Sequence, residues 1–163
     1  MRVWKYGDDI NTDMLFPGKY TYTCSTAEEV MPHLLEDLDS AFAKEAAAGD
    51  VILAGSNFGC GSSREQPTLG LKALGVKAVI AKSFARIFYR SAINQGLVLI
   101  DCAEAVDAYK PGDAVEVDPE AGRITIAGRE FRFPKLPPEI IAIRDAGGLL
   151  AYVRKELQER GTP

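Results

Sequence analysis

One stretch of ten residues concentrates groups able to hold an anion and react with it: Asn57-Phe-Gly-Cys-Gly-Ser-Ser-Arg-Glu-Gln66. Gly59 and Gly61 permit backbone angles closed to other residues, so main-chain amides can turn towards a ligand. Ser62 and Ser63 offer hydroxyls, and both Ser62-x-x-Glu65 and Ser63-x-x-Gln66 match the reciprocal cap that opens a helix. A helix starting at Ser63 would add free N–H groups and the positive end of a dipole. Arg64 contributes a permanent cation with forked donors, and Pro67 suits a first helical turn. Together these suit a carboxylate or a phosphate. The nucleoside-triphosphate loop is excluded, because no Lys follows the second glycine, and Arg64 stands where a dinucleotide fingerprint needs Gly. The Gly-x-Ser-x-Gly nucleophile elbow fits in no register. A plain helix-capping loop also explains the serines, Glu65 and Gln66, so residue chemistry alone leaves both readings open.

Other reactive groups are sparse. The one histidine, His33, follows Pro32 in a helix-like segment and reads as a packing or surface residue. A Ser-His-Asp triad would have to use it, and a His-rich metal site is excluded. Cys24, Cys60 and Cys102 are far apart, with no Cys-x-x-Cys, so no metal ligands are expected and no iron–sulfur site is written in this chain. They read as free thiols in a reducing compartment. Lys82, Arg86 and Arg90 fall at roughly helical spacing and read as a face paired with acids in preference to a functional basic stripe. A net charge of −4 counts against a nucleic-acid partner. No run approaches the roughly 18 to 20 apolar residues that span a bilayer, and Met1 to Asp9 has no apolar signal region, so a cytoplasmic protein is expected.

The elements that must position the loop follow from apolar runs and their punctuation. With 163 residues, 47% hydrophobic and 26% charged, the chain suits one ordinary globular domain, residues 1–163. Residues 2–6 suggest a short strand, and Gly7 to Asp13 a polar turn. Pro17-Gly18 is another turn, and 19–26 lean towards strand or loop. Thr26 before Ala-Glu-Glu marks a helix start, with helical pieces running to Ala48. Val51–Ala54, 77–81 and 97–100 read as buried strands, separated by helices over about 63–74 and 84–94 that close at Gly75 and Gly96. Strand-helix-strand-helix-strand at this spacing implies a parallel sheet with right-handed crossovers. Residues 114–117, 123–126 and 130–133 read as strands of a β-rich appendage, followed by a helical tail over about 138–160 broken at Gly147-Gly148.

Four segments, in order along nearly the whole chain, resemble the swivelling domain of the aconitase superfamily. Gly59-Cys-Gly-Ser-Ser-Arg-Glu65 is similar to its Gly-x-Gly-Ser-Ser-Arg-Glu segment. Gly7-Asp-Asp-Ile-Asn-Thr-Asp13 resembles its Asp-x-Ile-x-Thr-Asp loop, and Pro17-Gly-Lys-Tyr20 the lead into its mobile specificity loop. Ala78 to Arg90 is similar to its signature strand and helix. Where many relatives have His-Ala-Pro after Arg-Glu, this chain has Gln66-Pro67-Thr68. A chain of this length resembles the stand-alone small subunit of isopropylmalate or homoaconitate hydro-lyases.

The resemblance implies an α/β fold of the swivelling β/β/α type and a hydro-lyase activity shared with a separate large subunit. That subunit would carry a [4Fe-4S] cluster acting as a Lewis acid on the substrate hydroxyl. Ser62 matches the catalytic base, which removes a proton from the carbon next to a carboxylate. Serine is ordinarily a poor base, and amides, Arg64 and the helix dipole are the groups that would stabilise its alkoxide. Ser63, Arg64 and Gly61 match contacts to the substrate, a small dicarboxylate. Asp13 matches the aspartate that supports a large-subunit histidine, although Asn, Thr and Asp also favour plain turns. Tyr20, Thr21, Tyr22 and Thr23 match the loop that reads the substrate's variable group. No cation occurs from Tyr20 to Met31, so an extra carboxylate would be poorly held. Isopropylmalate, on the way to leucine, is therefore preferred over homoaconitate, with citramalate and dimethylmalate open. A non-catalytic anion- or nucleotide-binding α/β module explains the glycine loop but neither Asp13 nor the 83–90 match. A purely structural subunit would tolerate loss of Ser62.

Overall fold

A computed structural model describes residues 1–161 of the protein. Four short strands form one parallel sheet: β1 (Val3–Lys5), β2 (Val51–Ala54), β3 (Ala78–Ala81) and β4 (Leu99–Asp101), in the spatial order β1-β2-β3-β4. Spatial order equals chain order, so right-handed crossovers must all pass over the same face. The segment from β1 to β2 carries α1 (Thr12–Leu15), α2 (Ala27–Val30) and α3 (Phe42–Glu45), with 3-10 turns at Gly18–Tyr20 and Met31–His33. The next two crossovers carry α4 (Gln66–Ala73) and α5 (Arg86–Gln95).

The period of two in each strand divides the core in two. Ile52, Ala54, Val79, Ala81 and Leu99 face the crossover side, where they pack with Val30, Leu34, Phe42, Leu71, Phe88 and Ala92. Val51, Leu53, Ala78, Ile80 and Ile100 face the other way, against Ala105 and Val106 of α6 (Ala103–Ala108) and a second sheet. That sheet is antiparallel: β5 (Val115–Asp118), β6 (Arg123–Ile126) and β7 (Arg129–Arg132), with Val115, Val117, Ile124, Ile126 and Phe131 turned inwards. The layers are thus helix, parallel sheet and antiparallel sheet, the β/β/α arrangement expected from the sequence. The tail forms α7 (Pro138–Asp145) and α8 (Leu149–Glu159), divided at Gly147-Gly148 as expected.

Two expectations need correction, and one helix was not anticipated. The 19–26 segment is neither strand nor plain loop at its start, since Gly18–Tyr20 is a 3-10 turn. No sequence signal pointed to α6. Most importantly, α4 begins at Gln66, with Glu65 as its N-cap and no side-chain cap, so neither serine capping box forms. A helix begun at Ser63 would require an N–H on Pro67 to bond the Ser63 carbonyl, and proline has none. Starting at Gln66 puts Pro67 where no donor is needed, and the first bond runs from the Leu69 amide to the Glu65 carbonyl at 2.9 Å. Ser62 and Ser63 are thereby left outside the helix, both exposed. By contrast, the Thr26 signal is realised as a full capping box with Glu29.

Gly70 sits inside α4 for a packing reason. A Cβ there would lie 2.7 Å from Val30 Cγ1 and 2.8 Å from Leu34 Cδ2, both fully buried. The close approach is helix to helical segment, not helix to sheet. Alanine would gain about 1 kcal/mol of helix propensity but overpack the contact by typically 1–3 kcal/mol. Gly70→Ala is therefore predicted to lose stability by roughly 1 kcal/mol net, read from the urea midpoint; a gain would show that the 30–34 segment yields freely.

Candidate functional site

Three loops leave the carboxyl ends of β1, β2 and β3 and are laced to one another by main-chain bonds. The Gly59 amide donates to the Ile10 carbonyl at 2.7 Å and the Thr12 amide to the Cys60 carbonyl at 2.8 Å, a short parallel bridge between Asn11 and Cys60. The Phe58 amide donates to the Ser83 carbonyl at 3.0 Å, and the Ala85 amide to the Phe58 carbonyl at 2.9 Å. Gly59 has φ +79, and a Cβ there would fall inside the Phe88 side chain, so the loop's path over α5 requires glycine. Gly61 has φ +101 and rests against Thr12, whose Oγ1 would be 3.1 Å from an added Cβ. This is the crevice beyond strand ends where open parallel sheets bind ligands.

Arg64 joins these loops to a fourth segment. Its Nη2 donates to Asp13 Oδ1 at 2.8 Å and its Nη1 to Thr21 Oγ1 at 3.0 Å, while Gln66 Nε2 donates to the Thr21 carbonyl at 3.2 Å. The Arg64 side chain is only 10% exposed, whereas that of Asp13 is 66% exposed. Asn11 caps α1 by accepting from the Asp13 and Met14 amides, at 2.9 Å each, which fixes the backbone of Asp13. Gly18 passes so close that a Cβ would stand 2.8 Å from Asp13 Oδ1. Two buried side-chain polar atoms lack a partner among the described residues, Arg64 Nε and Thr12 Oγ1, and both lie here. Buried orphans are rare in folded proteins and cluster where a site is unfinished.

Ser62 and Ser63 lie between Gly61 and Arg64 with exposed hydroxyls. Ser62 opens onto a groove of about 520 Å³ lined also by Asn57, Gly59, Gly61, Arg86, Ile87 and Arg90. The sequence reading of the basic stripe is corrected here. Lys82 is paired with Asp107 at 2.5 Å, but neither Arg86 nor Arg90 has an acidic partner among the described residues. Nothing in the sequence could reveal this, because the absence of a partner is a property of the folded surface.

The specificity segment divides into an anchored and a free part. Tyr20 stacks on His33 with ring centroids 3.8 Å apart, and its hydroxyl donates to Glu36 Oε1 at 3.2 Å. The same carboxylate accepts from Lys19 Nζ at 2.7 Å and meets His33 Nδ1 at 2.8 Å. Tyr20 thus anchors the loop through its ring and its hydroxyl, and His33 is the packing residue expected. Tyr22 is 99% exposed, Thr23 is exposed, and Thr21 is the residue held by Arg64.

No three of His, Cys, Asp and Glu converge as metal ligands among the described residues. Cys24 and Cys102 are buried and Cys60 partly so, all free thiols. Among the described residues the three thiols stand apart, two of them buried, and form no cluster-binding set. Among the described residues no helix is long and apolar enough to cross a membrane.

Residues 9–105, which include the Asp13 loop, the glycine loop and α5, match the family model of the aconitase C-terminal domain. The chain belongs to that family. Within it, the small subunit of 3-isopropylmalate dehydratase from Heliobacterium modesticaldum is 47% identical over 97% of this chain and 96% of its own. The corresponding subunit of Aquifex aeolicus is 48% identical over 98% and 96%. The crystal structure of a 3-isopropylmalate dehydratase from Methanocaldococcus jannaschii superposes with a TM-score of 0.89 at 42% identity, covering 98% of this chain and 95% of that one. The aconitase-type swivelling fold is thus shared along the whole chain, antiparallel sheet and helical tail included.

The anchor of the specificity loop has a definite pH range. Hydrogen bonds from Lys19 and His33 hold the Glu36 carboxyl well below its usual 4.5, at about 2. A depressed folded value means that the ionic anchor is complete above about pH 4.5 and is lost only as pH falls through about 2. Protection of the Thr23 and Cys24 amides, both bonded to the Tyr20 carbonyl, should stay constant from pH 5 to 8 once intrinsic exchange is allowed for. Glu36→Gln should speed exchange of those two amides at every pH, while leaving the strand amides of β2 unchanged. Equal protection in the variant would show that Glu36 does not anchor the loop.

Proposed function

We propose that this chain is the small subunit of a 3-isopropylmalate dehydratase, a hydro-lyase that interconverts 2-isopropylmalate and 3-isopropylmalate by dehydration and rehydration in leucine biosynthesis. The full-length likeness to small subunits of that enzyme supports the reaction. The observation that carries the site is the Asp13–Arg64–Thr21 linkage with two orphan donors beside exposed Ser62 and Ser63. The chain acts as one swivelling domain, residues 1–163, in the cytoplasm, closing over a separate large subunit.

In this reading Ser62 is the base. It takes the proton from the carbon next to a carboxylate as the hydroxyl departs, and returns it at the neighbouring carbon during rehydration. Ser63, the Gly61 main chain and Arg64 hold the substrate carboxylate. Arg64 has five N–H donors and uses two side-chain contacts internally, so it can donate to a substrate carboxylate while still orienting Asp13. Asp13, bonded to Arg64 through one oxygen on a side chain 66% exposed, supports a large-subunit acid that protonates the leaving hydroxyl. The iron–sulfur cluster, carried by the large subunit, supplies the Lewis acid for that hydroxyl. Thr21, Tyr22 and Thr23 border the substrate's branched group. Their lack of a cation favours the isopropyl group over the extra carboxylate of homoaconitate, and Lys19 next to them is tied to Glu36.

The test is anaerobic reconstitution with the cognate large subunit, following isopropylmalate, citramalate and homocitrate side by side. Turnover of isopropylmalate is expected to exceed the others. Ser62→Ala should assemble normally and lose on the order of 10²- to 10⁴-fold in kcat, the usual contribution of a positioned base. Full activity in Ser62→Ala, or no turnover of any malate with a cluster-loaded partner, would remove the assignment.

A further inference from the structure

We propose that Arg86, Ile87 and Arg90, on the outer side of the first turns of α5, form part of the face that docks the large subunit, against a carboxylate-bearing surface of that subunit. The inference rests on the small-subunit reading. Three observations carry it.

The first is charge. The chain is acidic overall, at −4, and the two cations flanking the glycine loop and α5 are paired: Arg64 with Asp13 and Lys82 with Asp107. Arg86 and Arg90 are exposed and have no ion-pair partner among the described residues. Asp101 lines an adjoining hollow with both, yet forms no ion pair with either. Exposed arginines left free amid paired neighbours leave positive potential for an external acid.

The second is the apolar residue between them. Ile87 is 57% exposed, and its α5 neighbour Phe88 is buried against Gly59. Arginine beside an exposed aliphatic side chain is the composition of a protein interface, where an apolar centre excludes water and charged groups set register. Two exposed arginines flanking an exposed isoleucine suit a macromolecular face, and a substrate-carboxylate role is an outcome that the titration below separates.

The third is position. One groove is lined by Gly61 and Ser62 together with Arg86, Ile87 and Arg90. A partner that brings a reacting centre to Ser62 must reach into that groove. It then meets the arginines and the isoleucine as well.

The experiment titrates cluster-loaded large subunit against the full chain under anaerobic conditions at low and moderate salt, with circular dichroism verifying the fold of each variant. Arg86→Glu/Arg90→Glu should weaken assembly by about tenfold or more, and the double Gln variant by less, with a flatter salt dependence. Lys77→Glu, exposed at the opposite end of the parallel sheet, should assemble like the wild type. Wild-type affinity and salt dependence in the double Glu variant would overturn the inference while leaving the small-subunit reading intact. Unchanged affinity with a raised KM would overturn it in favour of a substrate-carboxylate role. Failure of the wild-type chain to bind the loaded partner would remove both this inference and the reading beneath it.

Discussion

A parallel sheet whose strands lie in chain order leaves its connections no choice of side. Right-handed crossovers from β1 to β2, β2 to β3 and β3 to β4 all pass over one face. That face becomes the helical layer, and the bare opposite face must be buried by something else, which is the antiparallel sheet. The same order sends the loops after β1, β2 and β3 out side by side at one end of the sheet. The lacing of Ile10, Thr12, Cys60, Phe58, Ser83 and Ala85 follows from that adjacency. The site is thus a consequence of strand order before any functional side chain is considered.

Within that frame the parts legible in the sequence are those fixed by local chemistry. Val51–Ala54 and Ala78–Ala81 read as strands because they are buried on both faces and so are apolar without alternation. Helix α5 ends where Gly96 takes the left-handed conformation, a stop written in one residue. The capping boxes at Ser62 and Ser63 fail because two rules compete locally: the cap pattern places the start early and Pro67 forbids it. Reading the proline first gives the observed start. The direction of Arg64 was beyond local reading, since Asp13 and Thr21 lie 51 and 43 residues away. The same holds for Tyr20, whose ring is claimed by His33 and whose hydroxyl is claimed by Glu36.

The resemblance in four motifs pointed to the residues of the site, but not to how they are joined. The structure adds that three of those motifs meet at one guanidinium. Asp13 comes from the first, Thr21 follows the second, and Arg64 is the third. If the specificity loop opens and closes as the proposed function requires, it needs a latch of intermediate strength. Arg64 to Asp13 is a charge-assisted bond with one partner open to solvent, which moderates it, and Thr21 adds a neutral bond. Glu36 holds the other end of the loop with one carboxylate shared among three neighbours, which leaves Tyr22 and Thr23 as the free part of the segment.

Charge balance then explains why such a site belongs to one half of an enzyme. Asp13 neutralises Arg64 in the chain on its own, and the segment from Tyr20 to Met31 contributes no cation. A substrate with two carboxylates brought to Ser62 would meet no net positive charge from these groups. Arg86 and Arg90 line the same groove and are exposed to solvent. A binding surface with this balance cannot hold a dianion tightly in water, where exposed pairs contribute little. Covering the groove lowers the local dielectric, strengthens every remaining interaction and admits the cations of a second surface. On the proposed function, the weakness of the isolated site is the physical counterpart of its division between two chains: substrate would be gripped only when the groove is covered, and Ser62 would meet it as water is excluded.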